Sequence, residues 1–81
     1  MRVRVLAFAR LRELLGFGQL EVDLEPDATV DALWRRLVPD AQPGAALRAS
    51  TRFARNGALV EGSAQLSDGD EVALMPPVGG G

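Results

Sequence analysis

Leu20-Glu21-Val22-Asp23-Leu24-Glu25, Pro26-Asp27-Ala28 and Thr29-Val30-Asp31-Ala32-Leu33-Trp34-Arg35-Arg36-Leu37 follow one another, and the apolar period changes between the first and the third. In the first, Leu and Val alternate with Glu and Asp, which is the pattern of a half-buried strand. In the third, Val30, Leu33, Trp34 and Leu37 fall at helical spacing and predict a buried stripe. Pro26-Asp27-Ala28 makes the turn between them. Thr29 is the expected N-cap, Asp31 suits the positive helix start, and Arg35 and Arg36 suit the negative end. Pro39 stops the helix.

Upstream, Arg2 to Phe8 reads as a strand. Val3, Val5 and Ala7 lie on one face and Leu6 and Phe8 on the other, which predicts a central strand buried on both faces towards its end. Leu11, Leu14 and Leu15 predict one helical turn closed by Gly16. Downstream, residues Asp40 to Thr51 carry the weakest pattern, with a short helix expected over Ala45 to Ala49. Phe53 to Arg55 and Ala58 to Val60 flank Asn56-Gly57, a strong hairpin signal. Leu66 precedes Ser67-Asp68-Gly69-Asp70, a turn that feeds a last strand, Glu71 to Met75.

Two strands, a helix and then short strands give an α+β chain with its main helix on one face of a mixed sheet. The first and last strands are the most apolar, so they belong together at the centre. A right-handed crossover makes them parallel, which is the β-grasp, or ubiquitin-like, arrangement. Residues 1–75 are the expected domain, and residues 76–81 a flexible tail of sequence Pro-Pro-Val-Gly-Gly-Gly.

Eighty-one residues allow one small domain, and a hydrophobic share of 47% is enough to give it a core. The chain has no cysteine, histidine or tyrosine, which removes disulfides, thiolate chemistry and the commonest acid–base side chains. A net charge of -2 argues against general nucleic-acid binding. No apolar run approaches a membrane span, and Met1-Arg2-Val3-Arg4 does not open a signal peptide, so a soluble cytoplasmic protein is expected. All nine basic residues are arginine, consistent with genome composition or a heat-adapted source. A second reading is chemical: a chain whose own carboxylate becomes an activated acyl group is safer without lysine.

That carboxylate is the reason to look at the end of the sequence, Met75-Pro76-Pro77-Val78-Gly79-Gly80-Gly81. Two prolines end the strand and point the chain away, and glycines there add no packing. The segment from Met75 to Gly81 reaches about 20 Å when extended. Such a tail suits a narrow channel in another protein, with Gly81 as the working residue.

Three stretches carry a family likeness: Val5-Leu6-Ala7-Phe8-Ala9 with Arg12-Glu13-Leu14-Leu15-Gly16, then Ala28 to Leu33, and above all Leu66 to Gly81. Asp-Gly-Asp-Glu-Val, Pro-Pro-Val and the final glycines stand in one register there. Over nearly its whole length the chain resembles the small subunit of molybdopterin synthase, a ubiquitin-like sulfur carrier. Gly79 stands where that family often has a small polar residue, and Met75 where it often has an aromatic.

The resemblance implies a division of labour. An ATP-dependent, E1-like adenylating enzyme activates the Gly81 carboxylate, and a sulfur donor converts it to a thiocarboxylate. The synthase large subunit binds cyclic pyranopterin monophosphate and receives that sulfur, in molybdenum cofactor biosynthesis. The chain itself is a protein cosubstrate, the non-catalytic subunit of a sulfurtransferase. It binds no cofactor or metal, and ATP belongs to the activating enzyme. Gly80, Gly79, Val78, Pro77, Pro76, Met75, Leu59 and Arg12 are the implied partner contacts, with Leu59 and Met75 on the docking face. Nucleic acid and membrane are not among the expected partners.

Bland readings stand beside these. Arg12 serves equally as a solvated charge, and Trp34 packs on the sheet. Asp68, Asp70 and Glu71 are better explained by turn chemistry than by a metal. Gly16 and Gly18 lack the Gly-Lys-Ser/Thr ending of a phosphate loop. Carriers for thiamine or tRNA thiolation share the diglycine end, and Pro-Pro-Val speaks against the thiamine branch. A ubiquitin-like protein modifier, or a plain binding module with an inert tail, are further alternatives.

Overall fold

The computed structural model describes residues 1–76, apart from the side chain of Pro43. Five strands form one mixed sheet: β1 (Arg2–Ala7), β2 (Gln19–Asp23), β3 (Arg52–Arg55), β4 (Ala58–Val60) and β5 (Glu71–Met75), in the order β2-β1-β5-β3-β4. The first and last strands are neighbours and parallel, with Arg4 opposite Glu71 and Ala7 opposite Leu74. The other three pairings are antiparallel. The expected β-grasp is therefore present.

The helix α2 (Val30–Leu37) supplies the crossover. Its start is capped as expected: the Thr29 hydroxyl oxygen accepts the Ala32 N–H at 3.2 Å. Val30, Leu33 and Trp34 are buried, and the Trp34 ring meets the Phe53 ring edge-on with centroids 6.1 Å apart. Helix α1 (Ala9–Leu15) closes on Gly16 at φ 82°, a left-handed position that glycine adopts without cost. The hairpin turn likewise uses Asn56 at φ 50° and Gly57 at φ 88°.

Three expectations need correcting. β1 ends at Ala7, and Phe8 is the N-cap residue before α1, 47% exposed. β1 is central but buried on one face only. Val3, Val5 and Ala7 are in the core, while Arg2 and Arg4 are exposed and Leu6 is half-buried. The reason is layering: Leu11 of α1, Leu33 of α2 and Leu47 all pack into the core on the Val3–Val5 side. The weak helix expected at Ala45 to Ala49 is a longer 3₁₀ segment, Pro43–Ser50. It is held down by Arg48, whose Nε donates to Asp31 at 2.8 Å and whose guanidinium lies 4.7 Å from the Phe53 ring centre. This pair crosses over Gly62, where any Cβ would strike both the Arg48 guanidinium and the Asp31 carboxylate.

Candidate functional site

Strand register defines the sheet's second face. Leu59 lies opposite Ala54, Ala54 opposite Ala73, and Ala73 opposite Leu6. Residues directly opposite share a face, so these four form one apolar row across four strands. The next row towards the end of β5 pairs Met75 with Arg52. Leu59 is 68% exposed on the edge strand β4, and Met75, Ala73 and Leu6 are half-buried. Beyond the row, charge takes over: Arg4 faces Glu71 at 3.8 Å, and Arg2 Nε donates to Asp23 at 3.1 Å. This exposed pair holds the Asp23 carboxyl below its usual range, chiefly through the hydrogen bond from Arg2.

The face thus carries an apolar row, with Met75 and Arg52 on the Pro76 side of it and two ion pairs on the other. β5 delivers the chain to Pro76 on the Met75 side of that row. Pro76 itself lines a cleft of about 360 Å³ with Ala9, Arg10, Leu11, Leu47, Ser50 and Thr51. Arg12, the other expected contact, is exposed on α1 and folds over Gly18, where a Cβ would stand 3.1 Å from its Nε. α1 follows β1 directly, so it stands at the end of the sheet where β5 also ends.

Of the expected site residues, Met75 and Pro76 lie at the end of β5, Leu59 lies in the neighbouring row on the edge strand β4, and Arg12 lies on α1 over Gly18. Gly81, Gly80, Gly79, Val78 and Pro77 lie outside the described residues. Leu6, Ala54, Ala73 and Arg52 were not singled out from sequence. The apolar alternation of Leu6 with Phe8 was a signal for Leu6, but the register that groups it with Leu59 is a property of pairing.

The carboxylates near the last turn are engaged as turn chemistry requires. Asp70 accepts the Ser67 N–H at 2.8 Å and an Asn56 side-chain N–H at 2.9 Å. Those two bonds, the backbone one foremost, hold its carboxyl below the usual range. Asp68 accepts the Arg2 N–H at 2.7 Å. Asn56 completes the brace by accepting the Glu71 N–H at 2.9 Å. Among the described residues, no helix is long and apolar enough to cross a membrane.

Residues 5–81 match the model of the ThiS family. The chain belongs to the ThiS family. A relative within reach of sequence comparison is the molybdopterin synthase sulfur carrier subunit of Escherichia coli, 38% identical over 98% of this chain and 99% of its own. Among solved structures, SAMP1 from Haloferax volcanii superposes with a TM-score of 0.80 at 32% identity, covering 100% of both chains. The complex of subunits 1 and 2 of molybdopterin-converting factor from Helicobacter pylori contains a chain of the same fold, with a TM-score of 0.68 at 23% identity and 100% coverage of both. The family match runs through to residue 81, and the likeness to the Escherichia coli carrier covers nearly the whole chain.

Proposed function

We propose that this ThiS-family chain is the sulfur carrier subunit of a molybdopterin synthase and works in the cytoplasm. One observation carries the reading: β5 runs into Pro76 beside an apolar sheet face centred on Leu59 and Met75, at the base of a Gly-Gly-Gly ending. The open face docks a partner, and residues 77–81 enter that partner's site. The relation to the Escherichia coli carrier supports this branch of sulfur chemistry over thiamine or tRNA thiolation.

The chemistry follows from the carboxylate. An E1-like enzyme joins the Gly81 carboxylate to AMP and releases pyrophosphate. A sulfur donor displaces AMP and leaves a thiocarboxylate. The large subunit then presents cyclic pyranopterin monophosphate to that sulfur. Acid, base and phosphate-binding groups come from the partners, and this chain contributes the carboxylate that is activated. The carrier itself needs no bound cofactor. Pro76 and Pro77 stiffen the base of the segment and lower its ordering cost on binding.

The test incubates the thiocarboxylate form with a synthase large subunit and cyclic pyranopterin monophosphate. The dithiolene product should form, with the carrier returned as the free carboxylate. No dithiolene, together with stable Gly81–lysine adducts on other proteins, would replace this reading with the protein-modifier one.

A further inference from the structure

Two guanidinium side chains, those of Arg10 and Arg52, flank the point where the C-terminal segment leaves the sheet. Arg10 shares the 360 Å³ cleft with Pro76. Arg52 stands directly opposite Met75 on the neighbouring strand. Both are exposed. The five residues after Pro76 span at most about 17 Å, so both side chains lie within the reach of Gly81.

Guanidinium and ammonium differ here in one decisive property. Arginine stays protonated in proteins and offers no lone pair, whereas lysine holds a small neutral fraction that is a strong nucleophile. An ammonium beside other cations, or in a cleft, loses its proton more readily still. The chain has no lysine, cysteine or histidine.

Its one amine, that of Met1, is at the wrong end. It donates to the Leu24 carbonyl at 2.8 Å, beside the start of β1. β1 and β5 are parallel with Ala7 opposite Leu74, so Pro76 stands about 26 Å along the sheet from Met1 at the usual strand rise. A segment of about 17 Å does not close that gap. The hydroxyls in the cleft, those of Ser50 and Thr51, both donate to the Leu47 carbonyl, at 3.2 and 2.7 Å, and as neutral alcohols with no base beside them among the described residues they are weak nucleophiles.

We propose that Arg10 and Arg52 make the base of the C-terminal segment positively charged but non-nucleophilic, so that an activated Gly81 acyl group is never captured by its own domain. The inference rests on adenylation of Gly81 as described above. The reaction avoided is attack of an amine nitrogen on the Gly81 acyl-adenylate carbonyl. A C–N bond forms, the C–O bond to AMP breaks, AMP leaves with the electron pair, and the amine's proton passes to water. Arg10 and Arg52 are in this sense selectivity residues: they leave the acyl group to an external sulfur.

The experiment places one lysine at a time in the full-length chain. R10K and R52K put an amine within reach. R36K is the distant control, because Arg36 bonds the Asp23 carbonyl at the Met1 end of the sheet. Each chain is incubated with the adenylating enzyme of the same genome and Mg-ATP, without a sulfur source. Pyrophosphate release reports activation, and intact-mass spectrometry with fragmentation reports the product. R10K and R52K should accumulate a species lighter by one water, with fragments joining Gly81 to the new lysine. Wild type and R36K should stay linear. Normal pyrophosphate release with R10K and R52K both linear, or cyclised wild type, would overturn the inference and leave the carrier reading standing. No pyrophosphate release from any chain would remove the carrier reading, and this inference with it.

Discussion

Asp70 is one residue on which the last turn depends. It takes two hydrogen bonds, from the Ser67 N–H and the Asn56 side chain, and Asn56 in turn braces the start of β5. β5 lies at the centre of the sheet and runs into Pro76, so this turn helps to fix where the C-terminal segment starts. The bonds lower the Asp70 pKa on folding, with the Ser67 N–H the larger cause. Its stabilisation is therefore complete above the unfolded carboxylate pKa and is lost as pH falls through the lower folded value. D70N keeps one acceptor and loses the charge. We expect a cost of about 1 kcal/mol at neutral pH, a fall of about 4–8 °C in Tm, and a shallower loss of stability from pH 5 to pH 3. Thermal melts across that range decide it, and an unchanged midpoint with an unchanged acid slope would exclude the role.

At the scale of elements, what was legible had a local cause. Helix α2 was read from its stripe and its Thr29 cap, the hairpin from Asn56-Gly57, and the centre of the sheet from the apolar first and last strands. The 3₁₀ segment was obscure because a tertiary clasp holds it, Arg48 reaching Asp31 across Gly62, and no local pattern encodes that. The second face of β1 misled for a related reason. Leu6 and Phe8 look like core residues, but whether a face is covered depends on where the helices pack. Of the site, Leu59 and Met75 were expected from the family resemblance, and the row joining Leu59 to Ala54, Ala73 and Leu6 is set by strand pairing that no local pattern encodes. That row now gives an expectation for docking. L59E and M75E each place a charge in a contact that must lose water, which costs about 2–4 kcal/mol at the centre of an interface. Leu59 is 68% exposed, so L59E should leave the isolated domain's Tm nearly unchanged. Calorimetric titration against the synthase large subunit should show affinity at least tenfold weaker for L59E. Wild-type affinity in both variants would mean that partners use another face.

For the whole molecule, folding and function divide at Pro76. The core cluster draws its buried members from Val3 through to Leu74, and β5 closes at Met75. The body of the protein fixes where the C-terminal segment starts, and on the proposed function the chemistry at Gly81 depends on reach. Changes at Gly81 should separate folding from function. Deleting Gly81 shortens the reach by about 3.5 Å and misplaces the carboxylate in a partner's site. Appending one alanine keeps a carboxylate but moves it and changes the residue that bears it. Both variants should unfold within about 0.5 kcal/mol of the parent, because no buried contact among the described residues is touched. Both should lose sulfur transfer, with no thiocarboxylate detectable by intact-mass spectrometry after incubation with the activating enzyme, ATP and a sulfur source. A large drop in stability would make the segment part of the fold. Full transfer from the extended chain would move the working carboxylate off Gly81.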